Sequence, residues 1–364
     1  MIDSLVFDRL RHIGLAPALV QQMIGMPPTT AAEPALMRVT EVQRESLLLH
    51  DGGSEFAARM LPALRGELAD ANDAIAVGDW VLAERNAHAQ WWVHARVPPL
   101  NQIARRLHDG RDKVTRTVIV SNVDTALLVM GLDHDFNLRR LERYVALARM
   151  AGVSAVVVLT KKDLCPDAGS RLQQAQAQLP ADMLAVAVDA LADSGAEPRA
   201  ALAPWLQPAQ TLVLLGSSGA GKSTLTNALS GAPVADTGAN RSGDNRGRHT
   251  TTTRTLHLTP SGACIIDTPG LRTLRLDGDA AELGAVFDDV TQLALQCRFR
   301  DCLHEAEPGC AVRQGVAPER LRNYQKLLRE ARRDSVTALE RKAQVATFKS
   351  RTRNARIRMD AKRG

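Results

Sequence analysis

The 364-residue sequence contains no apolar run approaching the ~20 residues of a membrane span, so no membrane-crossing segment is expected. Its first residues carry Asp3 and Asp8, with no basic segment ahead of an apolar stretch, so a secretory signal is not expected either. Cysteine is scarce. Five of them, an odd number, do not suggest a secreted disulfide scaffold, and a chain this long has core enough without such staples. No internal repeat is visible. These absences leave a soluble chain of a reducing, cytoplasmic compartment as the expectation.

Hydrophobic residues make up 45% and charged residues 24%, which is ordinary for globular protein and argues against wholesale disorder. At about 100–200 residues per domain, the length implies two or three domains. The net charge of +6 is unevenly placed. Residues 341–364 hold nine Lys/Arg and one Asp, while the rest of the chain is close to neutral at −2. A near-neutral body with a strongly basic tail fits a polyanionic partner, a merely solvated tail being the plainer alternative.

Residues 1–35 hold a short amphipathic pattern (Leu5, Leu10, Ile13) and then Pro27, Pro28 and Pro34, and read as an extension. Residues 36–112 show short β-type runs at 47–49, 74–81 and 91–93, separated by clusters such as Asp51-Gly52-Gly53. That spacing predicts a small barrel, with an OB-fold favoured over an SH3-like one. Over residues 113–283, near-continuous Val and Leu runs (126–130, 153–159, 211–215) alternate with helical spacing, as at 138–150. This is the pattern of an α/β domain with a parallel sheet. Residues 284–345 hold a Cys/His cluster and then a helix opened by Pro318, with Leu321, Tyr324, Leu328 and Ala331 as its apolar stripe. Residues 346–364 form the basic tail.

Gly216, Ser217, Ser218, Gly219, Ala220, Gly221, Lys222 and Ser223 fit the phosphate-loop pattern, between a buried-strand run and a helical run that begins at Thr224. Glycines let successive backbone N–H groups turn inward around phosphates at a helix N-terminus. Lys222 would reach the β- and γ-phosphates, and the Ser223 hydroxyl would ligate Mg²⁺. Downstream, Asp267-Thr268-Pro269-Gly270 follows another strand. Asp267 there can hold Mg²⁺, and Gly270 lets its N–H approach the γ-phosphate. The stretch between, residues 238–253, is glycine-rich, basic and poor in apolar residues, the composition of a loop that ligand orders. One hydroxyl of its Thr run, placed at Thr251, would join Mg²⁺ and the γ-phosphate.

Thr160-Lys161-Lys162-Asp163 resembles the guanine-reading motif of GTPases, Asn/Thr-Lys-x-Asp. A carboxylate at Asp163 can accept both the N1–H and the 2-amino hydrogens of guanine, which adenine does not offer there. Lys161 would lay its aliphatic stem over the ring. Thr160 departs from the commoner Asn. Asp189 stands where a Ser usually completes the base site, leaving the backbone N–H near Ala190 as the contact. The order is informative. The base reader precedes the phosphate loop, the reverse of an ordinary GTPase, which implies a circular permutation.

Cys297, Cys302, His304 and Cys310 put three thiolates and one imidazole within fourteen residues, a closed tetrahedral set suited to one structural Zn²⁺ and without an open position for hydrolysis. Cys165 and Cys264 lie outside it and read as packing residues.

Together with Val77-Gly78-Asp79-Trp80-Val81, Ser121-Asn122-Val123-Asp124 and Gly247-Arg248-His249-Thr250-Thr251, these motifs in this order resemble the bacterial ribosome small-subunit-dependent GTPase A family. The likeness covers roughly residues 36–330. It implies a multi-domain fold: an N-terminal OB-fold β-barrel, a central circularly permuted α/β P-loop GTPase and a C-terminal zinc-binding helical domain. It also implies a monomeric GTP phosphohydrolase that binds the small ribosomal subunit and its rRNA, without DNA or membrane, and leaves as GTP becomes GDP. The sequence departs from the family at Val97-Pro98-Pro99-Leu100, where an Arg-rich loop is usual. Leu271 stands where many GTPases carry a water-orienting Gln, so intrinsic hydrolysis should be slow. Lys222, Thr251 and His249 are the candidate catalytic groups, His249 being equally readable as an ordinary loop histidine or phosphate contact. Trp80 is expected in the barrel core, and the neighbours Trp91 and Trp92 on opposite faces of one strand. Two other functions fit parts of the pattern: a nucleotide-gated RNA-binding module with negligible turnover, and a P-loop ATPase.

Overall fold

The computed structural model describes residues 4–27, 31, 33–108, 114–235, 254–268 and 282–335. The strands β1 (Ala35–Val42), β2 (Leu47–His50), β3 (Glu55–Met60), β4 (Trp80–Arg85) and β5 (Trp91–Arg96) pair in the order β1-β2-β3-β5-β4, and β4 returns to β1. The sheet therefore closes into a five-stranded barrel. β3 and β5 run parallel and the other neighbours antiparallel, with a helix, α3 (Pro62–Asp70), between β3 and β4. This is the arrangement of an OB-like barrel, which leaves few strand edges unpaired.

The apolar run at 74–81 yields a strand only from Trp80 onward. Gly78 bends the chain at φ +94°, where a Cβ would sit 2.1 Å from the Ser121 carbonyl oxygen. The Asp79 carboxylate accepts the Ala76 N–H at 2.8 Å, closing the bend. Trp80 lies fully buried under the Arg38 guanidinium. Trp91 packs toward Phe56, with ring centroids 5.6 Å apart. Its neighbour Trp92 lines an outward cleft with Leu61, Arg85, Asn86 and His94, so the two rings do part to opposite faces.

The N-terminal segment is more than an appendage. It forms α1 (Ser4–Arg11) and α2 (Pro17–Ile24), and Leu10 and Leu19 of these helices with Ile13 and Leu15 of the turn between them make a core with Leu36 and Trp80 of the barrel and Val97 just beyond it. Arg38 of β1 is buried where three parts of the chain meet. It donates to the Ile13 carbonyl, to the Asn122 carbonyl and to the Thr211 hydroxyl, the last at 2.9 Å.

A two-stranded ribbon, β6 (Gln102–His108) with β7 (Val114–Ser121), leads on from the barrel. There follow β8 (Thr125–Gly131), α4 (Leu138–Met150), β9 (Ser154–Thr160), α5 (Ala168–Gln176), β10 (Ala185–Ala187), α6 (Ala196–Ala201), β11 (Thr211–Leu215), α7 (Lys222–Ser230), β12 (Thr255–Leu258) and β13 (Cys264–Asp267). The strands lie in the order β10-β9-β8-β11-β13-β12, all parallel except β12. Leu127, Leu128, Val129 and Met130 of β8 are all buried, each worth about 1.5–3 kcal/mol of apolar transfer. Burial on both faces is why these strands read as continuous apolar runs.

The C-terminal helices α8 (Asp288–Ala294), α9 (Ala311–Gly315) and α10 (Pro318–Ser335) pack through Phe287, Leu321, Leu327 and Ala331 into the same core as α4. Arg320 of α10 bonds both Asp289 of α8 and the buried Glu142 of α4. Among the described residues, no helix is long and apolar enough to cross a membrane.

Candidate nucleotide site and metal centre

The five residues of β11 are all buried, and the chain leaves the sheet at Gly216. A Cβ there would lie 2.3 Å from the Val129 carbonyl oxygen, so only glycine lets the loop start this close to β8. Gly219 and Gly221 take φ +83° and +89°, conformations glycine adopts without strain, and α7 begins at Lys222. Ser218 and Gly219 form the exposed tip, while Ala220 is buried. The Lys222 ammonium folds back into the loop, donating to the Gly216 and Ser217 carbonyls at 3.0 and 2.7 Å. Ser223 and Thr224 follow in the first turn of α7, half-buried.

Asp267 ends β13 beside this loop. Burial pushes its carboxyl up, against the pull of Lys222 and His257 and a hydrogen bond from Ser223. Its Oδ1 is buried without a hydrogen-bond partner. An orphaned carboxylate oxygen next to a serine hydroxyl, at a helix N-terminus, is a donor set of the hard-oxygen kind that fits Mg²⁺.

The candidate base-reading segment, residues 160–163, adjoins the loop. Thr160 ends β9, and its hydroxyl donates to the Ala220 carbonyl at 2.6 Å, so the threonine supplies a direct tie to the phosphate loop. Lys161 turns left-handed at φ 60°, and a single helical turn (Lys162–Leu164) presents Asp163 at the surface. Lys162 pairs with Glu197 at 2.9 Å. The third candidate base segment adjoins them: Val188 donates to the Leu159 carbonyl, and the Asp189 carboxylate accepts the Leu191 N–H at 2.8 Å. Asp189 thus shapes the turn around half-buried Ala190. These bonds bring the two motifs, inverted in their order along the chain, side by side.

Two carboxylates beside these segments belong to no motif of the sequence. Asp133 and Asp135, between β8 and α4, touch Lys161 at 2.7 Å and Ser217 at 2.6 Å. Their signal was an acidic pair next to an Asn-capped helix, and it names no partner. Thr251, His249, Gly270 and Leu271 lie outside the described residues, as does the basic tail.

At the C-terminal end, ligand atoms of Cys297, Cys302, His304 and Cys310 all lie within 4.8 Å of one another. The Cys297 and Cys310 sulfurs are 3.9 Å apart and stand 3.7 and 3.4 Å from His304 Nδ1. Four ligands around a tetrahedral ion with metal–sulfur bonds of about 2.3 Å would have sulfurs roughly 3.8 Å apart. The set is therefore of the right size for one ion. Gln325 of α10 donates to the His304 carbonyl at 2.9 Å, tying the cluster to the long helix. Cys165 and Cys264 are buried in the core and do not belong to this group of ligands.

Comparison with known proteins fits this geometry. Residues 100–277 match the family profile described as RsgA GTPase. A small ribosomal subunit biogenesis GTPase RsgA from Xylella fastidiosa (strain 9a5c) is 43% identical over 316 residues, covering 83% of this chain and 89% of the relative. The protein of the same name from Xanthomonas campestris pv. campestris (strain B100) is 44% identical over 310 residues, covering 82% and 81%. Two solved structures share the fold. YjeQ from Thermotoga maritima aligns with a TM-score of 0.58 at 22% identity, over 82% of this chain and 99% of its own. YloQ, described as a circularly permuted GTPase, aligns at 0.54 and 22% identity, over 86% and 100%.

Proposed function

Because this chain belongs to the RsgA GTPase family, we propose that it binds GTP in the cleft between the phosphate loop and Thr160-Lys161-Lys162-Asp163. It hydrolyses GTP to GDP in the service of small-ribosomal-subunit assembly. The observation that carries this reading is the Thr160–Ala220 hydrogen bond, which joins a guanine-type motif to a phosphate-type loop despite their inverted order. A P-loop ATPase would have no use for that pairing.

Within the site, Asp163 accepts the guanine edge, the Lys161 stem covers the ring and the backbone N–H near Ala190 completes the base pocket. N–H groups of the loop from Ser217 to Ser223 cradle the phosphates, and Lys222 exchanges its present carbonyl partners for phosphate oxygens. Ser223, Thr251 and Asp267 hold Mg²⁺, which neutralises charge on the phosphates. The Gly270 N–H meets the γ-phosphate, and His249 is this chain's candidate for orienting the attacking water. Barrel residues 36–112 and the basic tail face the rRNA. The protein works as a cytoplasmic monomer, without DNA.

The tail gives this binding a salt signature. If it neutralises several phosphates, association with purified small subunits should weaken by ~10³ over a fourfold rise in salt. Co-sedimentation with a non-hydrolysable GTP analogue measures this. A flat salt response would remove the tail from the interface.

Cys297, Cys302, His304 and Cys310 hold one structural Zn²⁺. In zinc-finger peptides such sites contribute about 10–16 kcal/mol of apparent binding energy, most of it folding energy. Chelation, or Cys302→Ser, should release one equivalent of zinc and open residues 297–316 to protease. Guanine-nucleotide binding should survive, because the nucleotide cleft draws no residue from this segment. Full protease resistance after complete chelation would contradict a structural role for the metal.

A further inference from the structure

Between β8 and α4 the chain makes the turn Gly131-Leu132-Asp133-His134-Asp135-Phe136-Asn137, which supplies two carboxylates that neither nucleotide motif contains. We propose that this turn is a third wall of the nucleotide site, and that Asp133 is the positioning residue that sets Lys161 across the guanine ring. The inference rests on the reading of residues 160–163 as the base site.

The turn touches both halves of the cleft. Asp133 Oδ2 accepts the Lys161 ammonium at 2.7 Å, at the base end. Asp135 Oδ1 accepts the Ser217 hydroxyl at 2.6 Å, at the phosphate end. A backbone bond from the Leu132 N–H to the Thr160 carbonyl at 2.9 Å fixes the turn to the strand that carries the base reader. One short segment thus sets the spacing between the base and phosphate contacts.

The turn is braced well enough to serve as a reference. The Gly131 N–H donates to Asp135 Oδ2 and the Asp135 N–H to Asp133 Oδ1, at 3.2 and 3.0 Å. Asn137 caps α4 through the Arg140 N–H, and the Arg140 guanidinium bonds Asp135. From outside, Arg171 donates to the Leu132 carbonyl at 2.6 Å and lies over the Phe136 ring. A Cβ at Gly131 would approach Asp133 Oδ1 to 2.6 Å, so a larger residue there would push the Asp133 carboxylate out of this position.

Lys161 needs such an anchor. A lysine side chain carries about 2 kcal/mol of rotamer entropy, and this one leaves a left-handed backbone that non-glycine residues seldom adopt. Held at its tip, the stem is laid out before the nucleotide arrives. Burial alone would raise the Asp133 carboxyl, yet hydrogen bonds from Lys161 and the Asp135 N–H hold it below the usual carboxylate range. His134 is the other neighbour, its Nδ1 3.3 Å away, but its ring points out to solvent at 93% exposure.

The test is a variant series read by affinity for GDP and for IDP, whose base lacks the 2-amino group. Asp133→Asn keeps the Oδ1 acceptor for the Asp135 N–H and removes the charge that holds Lys161. It should weaken both nucleotides by about fivefold, the scale of a partly exposed charge-assisted bond. The GDP/IDP ratio should not change, because ring cover is indifferent to the 2-amino group. Combining Asp133→Asn with Lys161→Ala should weaken binding no further than Lys161→Ala alone, since the two act as one unit. Asp163→Ala, by contrast, should collapse the ratio. Unchanged affinity in Asp133→Asn, or losses that multiply in the double variant, would overturn the proposal while a collapsed ratio in Asp163→Ala leaves the base site standing. An intact ratio in Asp163→Ala would overturn the base-site reading, and this proposal with it.

Discussion

Replacing Asp163 with alanine should reduce the discrimination between GTP and ATP by ~10⁴, the scale on which a site built around a specific hydrogen-bonded edge rejects an analogue lacking it. The carboxylate can accept two donors from guanine, N1–H and the 2-amino group. Adenine places an acceptor and a C–H at the same positions, so it would leave the carboxylate unpaired as the cleft closes. The substitution is a clean one. Asp163 is exposed on a single helical turn, and the bonds that shape the cleft come from Thr160 and Lys161, so fold and phosphate loop should be untouched. Competition of labelled GTP by unlabelled GTP and ATP measures the ratio in both proteins. A preserved ratio would mean that the base is read elsewhere, for instance by backbone near Ala190.

The parts of this molecule that were legible in the sequence are those whose partners lie close along the chain. Gly216 through Ser223 and Cys297 through Cys310 are each complete within fourteen residues or fewer, so their spacing alone states the chemistry. The five-stranded barrel and the permuted sheet were legible as classes, because alternating and continuous apolar runs report one-faced and two-faced burial. What escaped depends on long-range pairing. Nothing in the sequence around Arg38 announces its role, yet it is fully buried and bonds segments 25, 84 and 173 residues away. Asp133 and Asp135 belong to no motif of the sequence, and only the fold places Lys161 and Ser217 against them. The N-terminal residues read as an extension because a short amphipathic pattern is cut off by Pro27, Pro28 and Pro34, and only Leu36, Trp80 and Val97 show what its apolar side chains cover. Residues 74–79 read as strand because apolar content hides the bend that Gly78 makes against Ser121.

The second large effect concerns turnover. Leu271 has no hydrogen-bonding group, so it cannot orient water where many GTPases use a glutamine. Lys222, together with Mg²⁺ held at Ser223 and Asp267, would neutralise the phosphates, but binding alone does not place a nucleophile. The free protein should therefore bind GTP well and turn it over slowly. On the small subunit, the partner either supplies a group or docks His249 against the water. A contribution of that kind is worth on the order of 10²-fold or more. The His249→Ala variant separates the two routes, since it should lose the stimulation while keeping GTP-dependent association. Full stimulation in that variant would assign the missing group to the partner.

The most direct measurement is GTP hydrolysis by the full chain with and without purified small ribosomal subunits, at low salt, with large subunits as the control. A GTPase completed by its partner predicts stimulation on the order of 10²-fold or more by small subunits alone, falling away as salt weakens the complex. GTP-dependent binding with no stimulation would contradict it, and would leave a nucleotide-gated binding protein whose release needs another factor.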